Sequence, residues 1–435
     1  MGKILNRQPF KSLYLVYVAT SLVFVKLPLW TLYYLPRSTR PRRAWPLKRT
    51  LIVRTIQTLF ATGRNVDMRG GPKPAVADKL DDSDKVLRDA NAKSAWIEPI
   101  PEELFCGELR RYAEITGVAP VRIPGYWMLR KGYEWTSHKA MPGEKTVLHF
   151  HGGAFTVRLS RCATSYDTTV KATWSSCLTT TARDQIGTAR PTDVTANFPR
   201  GLLEHSKTIS RTFAVDYRLA ASAPRPQINA FPAALLDCLA GYYYLVQEAG
   251  FEPQNVIIAG DSAGANMALA IVRHLVENPH PSLPPPGRLV LVSACLDLMV
   301  SRCGPEASTT RNSPTDIFGV PPPGELFAKY SVVSYLGALP LEEADTSRYI
   351  SPMSLHVKPG PEGLCKGFPE SYIVAGGAER IMDDSVVLKE RMDADGVKAV
   401  LDIPPDAVHD FVVFTWHEPE RTETLQRISE WIDSM

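Results

Sequence analysis

An apolar run, Val256–Ala259, leads into Gly260-Asp261-Ser262-Ala263-Gly264, and the small, helix-compatible run Ala265-Asn266-Met267-Ala268 follows at once. This is Gly-x-Ser-x-Gly between a strand and a helix, the one context in which the pentapeptide presents a serine for chemistry. Its two glycines allow a turn tight enough to lift the Ser262 hydroxyl to a helix N-terminus. There the positive end of the helix dipole favours a developing anion. Many Gly-Ser turns are merely turns, so the flanking elements carry the reading.

The rest of the chain supplies a matching frame. From Thr146 onward, short apolar runs alternate with helix-like segments. The expected strands are 146–150, 212–217, 256–259, 288–294, 371–375 and 398–403. The expected helices include 232–248, 263–277 and 384–393, with a further one over 197–210. Strands alternating with helices predict a mostly parallel sheet covered on both faces. Ligand chemistry in such sheets gathers at the carboxyl ends of the strands. At 44% hydrophobic and 22% charged residues, a sizeable core is expected and global disorder is excluded.

The residues after the first of these strands are His151-Gly152-Gly153-Ala154-Phe155. Glycines here let backbone N–H groups approach a substrate oxygen without side-chain obstruction. Donors aimed at a developing oxyanion are worth roughly 3 kcal/mol of barrier each. Gly152, Gly153, Ala154 and Ala263 are the candidate donors, and His151 is expected to fix the loop rather than act as a base.

Three ordered motifs now stand together: His151-Gly152-Gly153, Val215-Asp216-Tyr217-Arg218-Leu219-Ala220 and Gly260-Asp261-Ser262-Ala263-Gly264. On these the chain resembles the hormone-sensitive-lipase-like group, or fold 3, of the α/β-hydrolase superfamily, over residues 100–435. Within it, the membrane-anchored arylacetamide deacetylases and fungal steryl acetyl hydrolases look most similar. The resemblance implies an α/β-hydrolase fold with a helical cap and a serine esterase without cofactor or metal. Membrane residence, in the endoplasmic reticulum for such anchored members, is implied as well. Two departures stand out: Ala154 replaces the third glycine of the oxyanion motif, and Ala221-Ser222 replaces Pro-Glu.

The family order is serine, acid, histidine. Matching Gly376-Gly377-Ala378-Glu379 to the family's Asp-x-Leu-x-Asp-Glu segment implies Glu379 as the acid. Asp383 is the alternative, and Asp384 is read as a helix cap. The base is His409 in Val408-His409-Asp410-Phe411. His149, His205, His274 and His417 are given structural roles. The same set could cleave an arylamide or formamide, and a hydrolase fold can also serve as a non-catalytic binding protein or a tethered interaction module.

The N-terminal piece is different in kind. Residues 1–66 carry twelve Lys and Arg and no acid, while the remainder is net −9. Leu13 to Leu35 is 23 residues interrupted only by Thr20, Ser21, Lys26, Pro28 and Thr31. As a helix it spans ~34 Å, enough for a ~30 Å hydrocarbon core. Aromatic residues near both ends suit membrane interfaces. A cleaved signal peptide is the rival, and Pro36 with Arg37, Arg40, Arg42 and Arg43 stands where a cleavage site belongs. The expectation is a single-pass anchor with its basic flank over residues 1–55, the charge bias leaving the body in the cytosol. A following stripe of Leu47, Leu51, Ile52, Ile56, Leu59 and Phe60 is read either as a helix lying on the membrane or as a cap helix. Membrane lipid and a lipophilic ester are the expected partners, and a net charge of +3 gives no reason to expect nucleic acid. Seven scattered cysteines without CxxC or histidine grouping argue against a disulfide framework or zinc site.

Residues 56–145 are expected to supply part of the cap and the first strands, and residues 146–435 the catalytic domain. Within the latter, 299–365 is a second cap segment, where Phe318, Leu326, Phe327, Tyr330, Tyr335 and Leu336 either line a pocket or pack the cap. Residues 156–195 hold 15 Ser or Thr among 40 and show no apolar periodicity. They read as a disordered insertion or a gene-model error, with a functional lid as the alternative.

Overall fold

The computed structural model describes residues 2–66, 85–156, 187–320 and 329–435. Eight strands form one sheet: β1 (Ala92–Ile97), β2 (Ile123–Leu129), β3 (Lys145–Phe150), β4 (Ile209–Val215), β5 (Val256–Asp261), β6 (Arg288–Val292), β7 (Glu370–Val374) and β8 (Ala399–Asp402). Their spatial order is β1-β2-β4-β3-β5-β6-β7-β8. Only β2 runs against its neighbours; from β4 to β8 every pairing is parallel. All six expected strands exist, within three residues at either end. The expected helix over 197–210 stops at His205, because Ile209 already opens β4.

The strands read as continuous apolar runs because both faces are covered. Successive side chains point to opposite faces, and here they enter two separate cores. Leu148, Phe150, Ile258, Leu289, Leu291 and Ile373 join one cluster. Val147, Ile257, Ala259, Val290, Val292, Tyr372 and Val374 join the other. The first face is covered by helices that include α2 (Gly107–Thr116), α4 (Ala233–Tyr243), α5 (Ala263–Glu277) and α6 (Met382–Ala394). The second is covered by α3 (Asn197–His205) and α7 (Glu420–Asp433). Burying each such Val, Leu or Ile contributes roughly 1.5–3 kcal/mol. α5 is buried without interruption from Ala263 to Leu275. Its lack of a polar face follows from lying between the sheet and outer segments.

Residues 187–195, the end of the expected insertion, are bonded into the body. Thr188 and Thr195 donate backbone and hydroxyl hydrogen bonds to the buried Asp193 carboxylate, and the Ala189 N–H donates to Asp216. The expectation for 156–195 otherwise falls on 157–186, outside the described residues.

At the N-terminus, Phe10–Tyr34 is one helix of 25 residues with mean hydropathy 1.7, and 6% of its apolar window is buried. It therefore is not a core helix of the body. It runs alongside α1 (Leu47–Asn65): Asn65 Nδ2 donates to the Tyr14 hydroxyl at 3.1 Å, and the Arg54 guanidinium lies 5.6 Å from the Trp30 ring. α1 turns Arg49, Thr50, Val53 and Gln57 inward along with Leu51 and Ile52. Of its two readings, the cap helix is the one the structure supports. Its buried face carries polar groups with partners on the body, and Leu59 is left exposed.

Candidate active site

The turn after β5 is set by contact between backbones. A Cβ on Gly264 would lie 1.9 Å from the Phe150 carbonyl oxygen, and one on Gly260 would lie 2.4 Å from Gly264 itself. Between them Ser262 adopts φ 52° and ψ −113° as the residue preceding α5. For a residue with a side chain this costs on the order of 1–3 kcal/mol. Ser262 is held there by its N–H on the Val292 carbonyl at 2.8 Å and by Cys295 N–H on its own carbonyl at 3.2 Å.

His409 arrives from the loop after β8. Its Nε2 lies 3.0 Å from Ser262 Oγ, and its Nδ1 lies 3.6 Å from Glu379 Oε2. Glu379 is fully buried at the end of the loop after β7. The same oxygen accepts the Ser293 hydroxyl at 2.6 Å, while Oε1 has no partner among the described residues. The structure thus brings Ser262, His409 and Glu379 together from three strand ends. Asp383 turns elsewhere and accepts the Ser308 N–H at 2.9 Å. Asp384 does not cap its helix; its carboxylate accepts the N–H groups of Leu296 and Asp297, bracing the loop after β6. Ser293, which sequence reasoning passed over, orients both sides: it donates to Glu379 and accepts the Asp410 N–H at 2.9 Å. Its only signal was its place immediately after β6.

A second carboxylate reaches the same imidazole. Asp410 Oδ2 lies 3.1 Å from His409 Nε2, on the nitrogen that faces Ser262. Burial by itself lowers the imidazole pKa, but Asp410 and then Glu379 outweigh it and hold the pKa well above its usual value. A base at His409 would have to be neutral to accept the Ser262 proton, so activity is expected to appear as pH rises through this pKa. Asp410→Asn removes the leading source of the upward shift. The acidic limb of the kcat/KM profile is expected to move to lower pH, and a limb that stays in place would deny Asp410 this influence.

The oxyanion side needs one correction. The Gly152 N–H already donates to Asp261 Oδ2 at 2.8 Å, so Gly152 is not a free donor. Its glycine identity has another cause, since a Cβ there would lie 2.4 Å from that same oxygen. Gly153, Ala154 and Ala263 have no backbone acceptor among the described residues. Gly153, Ala154 and Phe155 all have positive φ, at 121°, 51° and 63°. Ala154 thus takes the left-handed conformation that the usual glycine would adopt more easily.

Several further residues hold this loop. His149 Nε2 lies 2.9 Å from Asp261 Oδ1, completing a buried His149–Asp261–Gly152 chain behind the turn. His151 stacks on Tyr217 at 4.1 Å, and the Tyr217 hydroxyl donates to the His151 carbonyl. Burial pushes the His151 pKa down to about 4, which agrees with a structural rather than a basic role. Arg218 forms a buried pair with Asp237 and caps the Ala119 carbonyl. The Asp-Tyr-Arg segment therefore works as a brace.

Of the expected pocket residues, Phe318 lies over the site, its ring 4.8 Å from that of His409 and 5.1 Å from Phe60 on α1. Tyr335 and Leu336 are core instead, with Tyr335 stacked on Phe155 at 3.9 Å. The Tyr330 hydroxyl bonds the Ser222 backbone, and Leu326 and Phe327 lie outside the described residues. No group of three or more potential metal ligands occurs among the described residues.

Comparison with known proteins agrees with this fold. A family profile described as alpha/beta hydrolase fold matches residues 195–413, half of the chain. The chain belongs to that family. This hydrolase is 30% identical over 225 residues to the esterase LipU of Mycobacterium tuberculosis, which covers 51% of the chain and 67% of LipU. It is 26% identical over 210 residues to an acetyl-hydrolase of Streptomyces hygroscopicus, covering 48% of the chain and 61% of that protein. The hydrolase thus spans about two thirds of the length of these relatives. Among solved structures it is similar to EstE5, with TM-score 0.52 and 20% identity over 88% of this chain and 98% of that one. That likeness concerns the fold alone. The profile match begins after the 157–186 segment, so it does not include the His151–Phe155 loop.

Proposed function

We propose that this hydrolase is a serine esterase that cleaves carboxylic esters of lipophilic small molecules, acetylated sterols or secondary metabolites first among them, through an acyl-enzyme. The observation that carries the reading is the Ser262 hydroxyl 3.0 Å from His409 Nε2, at the start of a buried helix, with Glu379 behind the imidazole. A free serine hydroxyl is a poor nucleophile near neutral pH, and an adjacent oriented base answers that deficiency. Ser262 Oγ attacks the ester carbonyl carbon as its proton passes to His409 Nε2. The carbonyl π electrons move onto oxygen, where the N–H groups of Gly153, Ala154 and Ala263 are the available donors. Collapse expels the alkoxide, which takes the proton from His409. Water then repeats the sequence: His409 accepts its proton, and Ser262 leaves with that proton as the carboxylic acid is released.

The names esterase and acetyl-hydrolase on two relatives support the bond type and the acetyl group. The exposed apolar helix over Phe10–Tyr34 supports residence in a membrane as a single-pass anchor, where lipophilic esters concentrate, and the endoplasmic reticulum is the membrane that the resemblance to anchored members suggests. Phe318 beside His409, with Phe60 packed behind it, favours an apolar substrate. The test is turnover of short- and long-chain aryl esters and of aryl amides by the full chain in detergent. Hydrolysis of esters with a preference for acetyl is expected. Inactivity on every ester would sink the proposal, and faster amide cleavage would move the chain to the amidase reading.

A further inference from the structure

The loops that carry the acid and the base are tied to each other. Gly377 N–H donates to the Pro404 carbonyl at 2.9 Å, and Ala378 N–H to the Ala407 carbonyl at 2.9 Å. The Gly376-Gly377 pair exists for this contact, because Cβ atoms there would lie 2.3 Å from the Ala407 oxygen and 2.5 Å from the Pro405 oxygen. One carbonyl on each loop points the other way, toward the segment that joins the apolar helix to the body. Arg42 Nη2 donates to the Gly377 carbonyl at 2.8 Å and to Asn312 Oδ1 at 3.1 Å. Asn312 in turn donates to the Glu379 carbonyl at 2.8 Å. Trp45, with no exposed surface, donates its indole N–H to the Asp406 carbonyl at 2.8 Å. A third tie runs from Arg49 through its ion pair with Glu420 to His417, whose Nε2 accepts the Val408 N–H at 3.4 Å.

We propose that Arg42 and Trp45 are positioning residues for Glu379 and His409, making the segment next to the apolar helix a working part of the active site. The inference rests on the esterase reading above and assigns these two residues a role beyond membrane attachment. From sequence, Arg42 reads only as positive charge flanking a span. In the structure its guanidinium is planar, charge-bearing and already engaged with two acceptors on two segments, which is structural use of arginine rather than headgroup attraction. Losing it removes one of two donors on the Gly377 carbonyl, two residues before the acid, and the donor that holds Asn312 Oδ1, so that Asn312 alone ties the two segments. Displacement of about 1 Å in a catalytic group can cost on the order of 100-fold in rate.

The experiment follows the second-order labelling of Ser262 by an organophosphonate, and its pH dependence, in the full chain in detergent. Arg42→Ala is expected to slow labelling by about tenfold, shift the pH profile of labelling, and leave KM for an aryl ester within about twofold. Arg42→Lys, which keeps one donor and the charge, should recover part of the rate. Trp45→Phe, which removes the N–H and keeps an aromatic ring at this buried site, should act in the same direction, and thermal unfolding of each variant guards against one that simply unfolds. A parent chain that takes up no reagent overturns the esterase reading and this inference with it. A parent that labels while Arg42→Ala and Trp45→Phe label at the parental rate and pH profile overturns this inference alone.

Discussion

Ser262→Ala is expected to abolish ester hydrolysis, lowering kcat by roughly a millionfold, while the protein folds as before. The size follows from the way a nucleophile and its base act as one unit, so that losing either removes nearly the whole effect. The fold should tolerate the change because the strained φ of 52° at this position is imposed by Gly260, Gly264 and the Val292 carbonyl, not by the hydroxyl. Among the described residues, Ser262 Oγ makes one hydrogen bond, to His409. An organophosphonate should mark the parent on Ser262 and leave the variant unmarked; a modified residue elsewhere would contradict the assignment. Thermal unfolding of the two proteins should coincide within a few degrees.

Glu379→Gln should be the next most damaging change, on the order of 10⁴ in kcat by analogy with loss of the acid in serine proteases. In the proposed mechanism the carboxylate stabilises the imidazolium formed when His409 takes the proton, and its replacement by an amide removes that charge within a fully buried site. An amide NH₂ placed beside Nδ1 would also favour the wrong tautomer. Asp383→Asn should cost far less, because Asp383 serves the Ser308 backbone rather than the imidazole. Parallel kcat measurements on the two variants decide the matter, and the opposite ranking would move the acid four residues along the chain.

Most of the sheet was legible in the sequence. β3 to β8 are apolar runs bounded by turn residues, and a strand covered on both faces looks like that whatever its neighbours are. β1 and β2 were harder. Ala92-Lys-Ser-Ala-Trp-Ile97 carries a lysine and a serine, and β2 has Pro124-Gly125 as its second and third residues, which weakens a strand reading. Gly125 is explained only by its partner strand, because a Cβ would lie 2.3 Å from the Phe213 ring. Ser262 and His409 could be found from local context, whereas Glu379 needed the resemblance, since Asp383 and Asp384 lie nearby and local spacing cannot tell which one faces the base. The engagement of the Gly152 N–H was not legible, because it depends on which way the Asp261 side chain turns, 109 residues away. Arg42 and Trp45 were opaque for the same reason: the carbonyls they cap lie 335 and 361 positions along the chain. A basic or aromatic residue beside an apolar run reads as interfacial until the distant backbone it touches is in view.

The tight turn at Ser262 separates ancestry from occupation. Gly260 and Gly264 are required because one backbone lies against another, and that requirement holds whether or not anything is ever hydrolysed. A descendant of this chain that abandoned chemistry for carriage or scaffolding could exchange Ser262, His409 and Glu379 freely. Its two glycines would stay, locked by Phe150 and by each other. A genome search keyed on the glycines therefore collects the lineage, retired members included. To pick out the working members, it must also require a serine between them, together with an acid after the seventh strand and a histidine after the eighth.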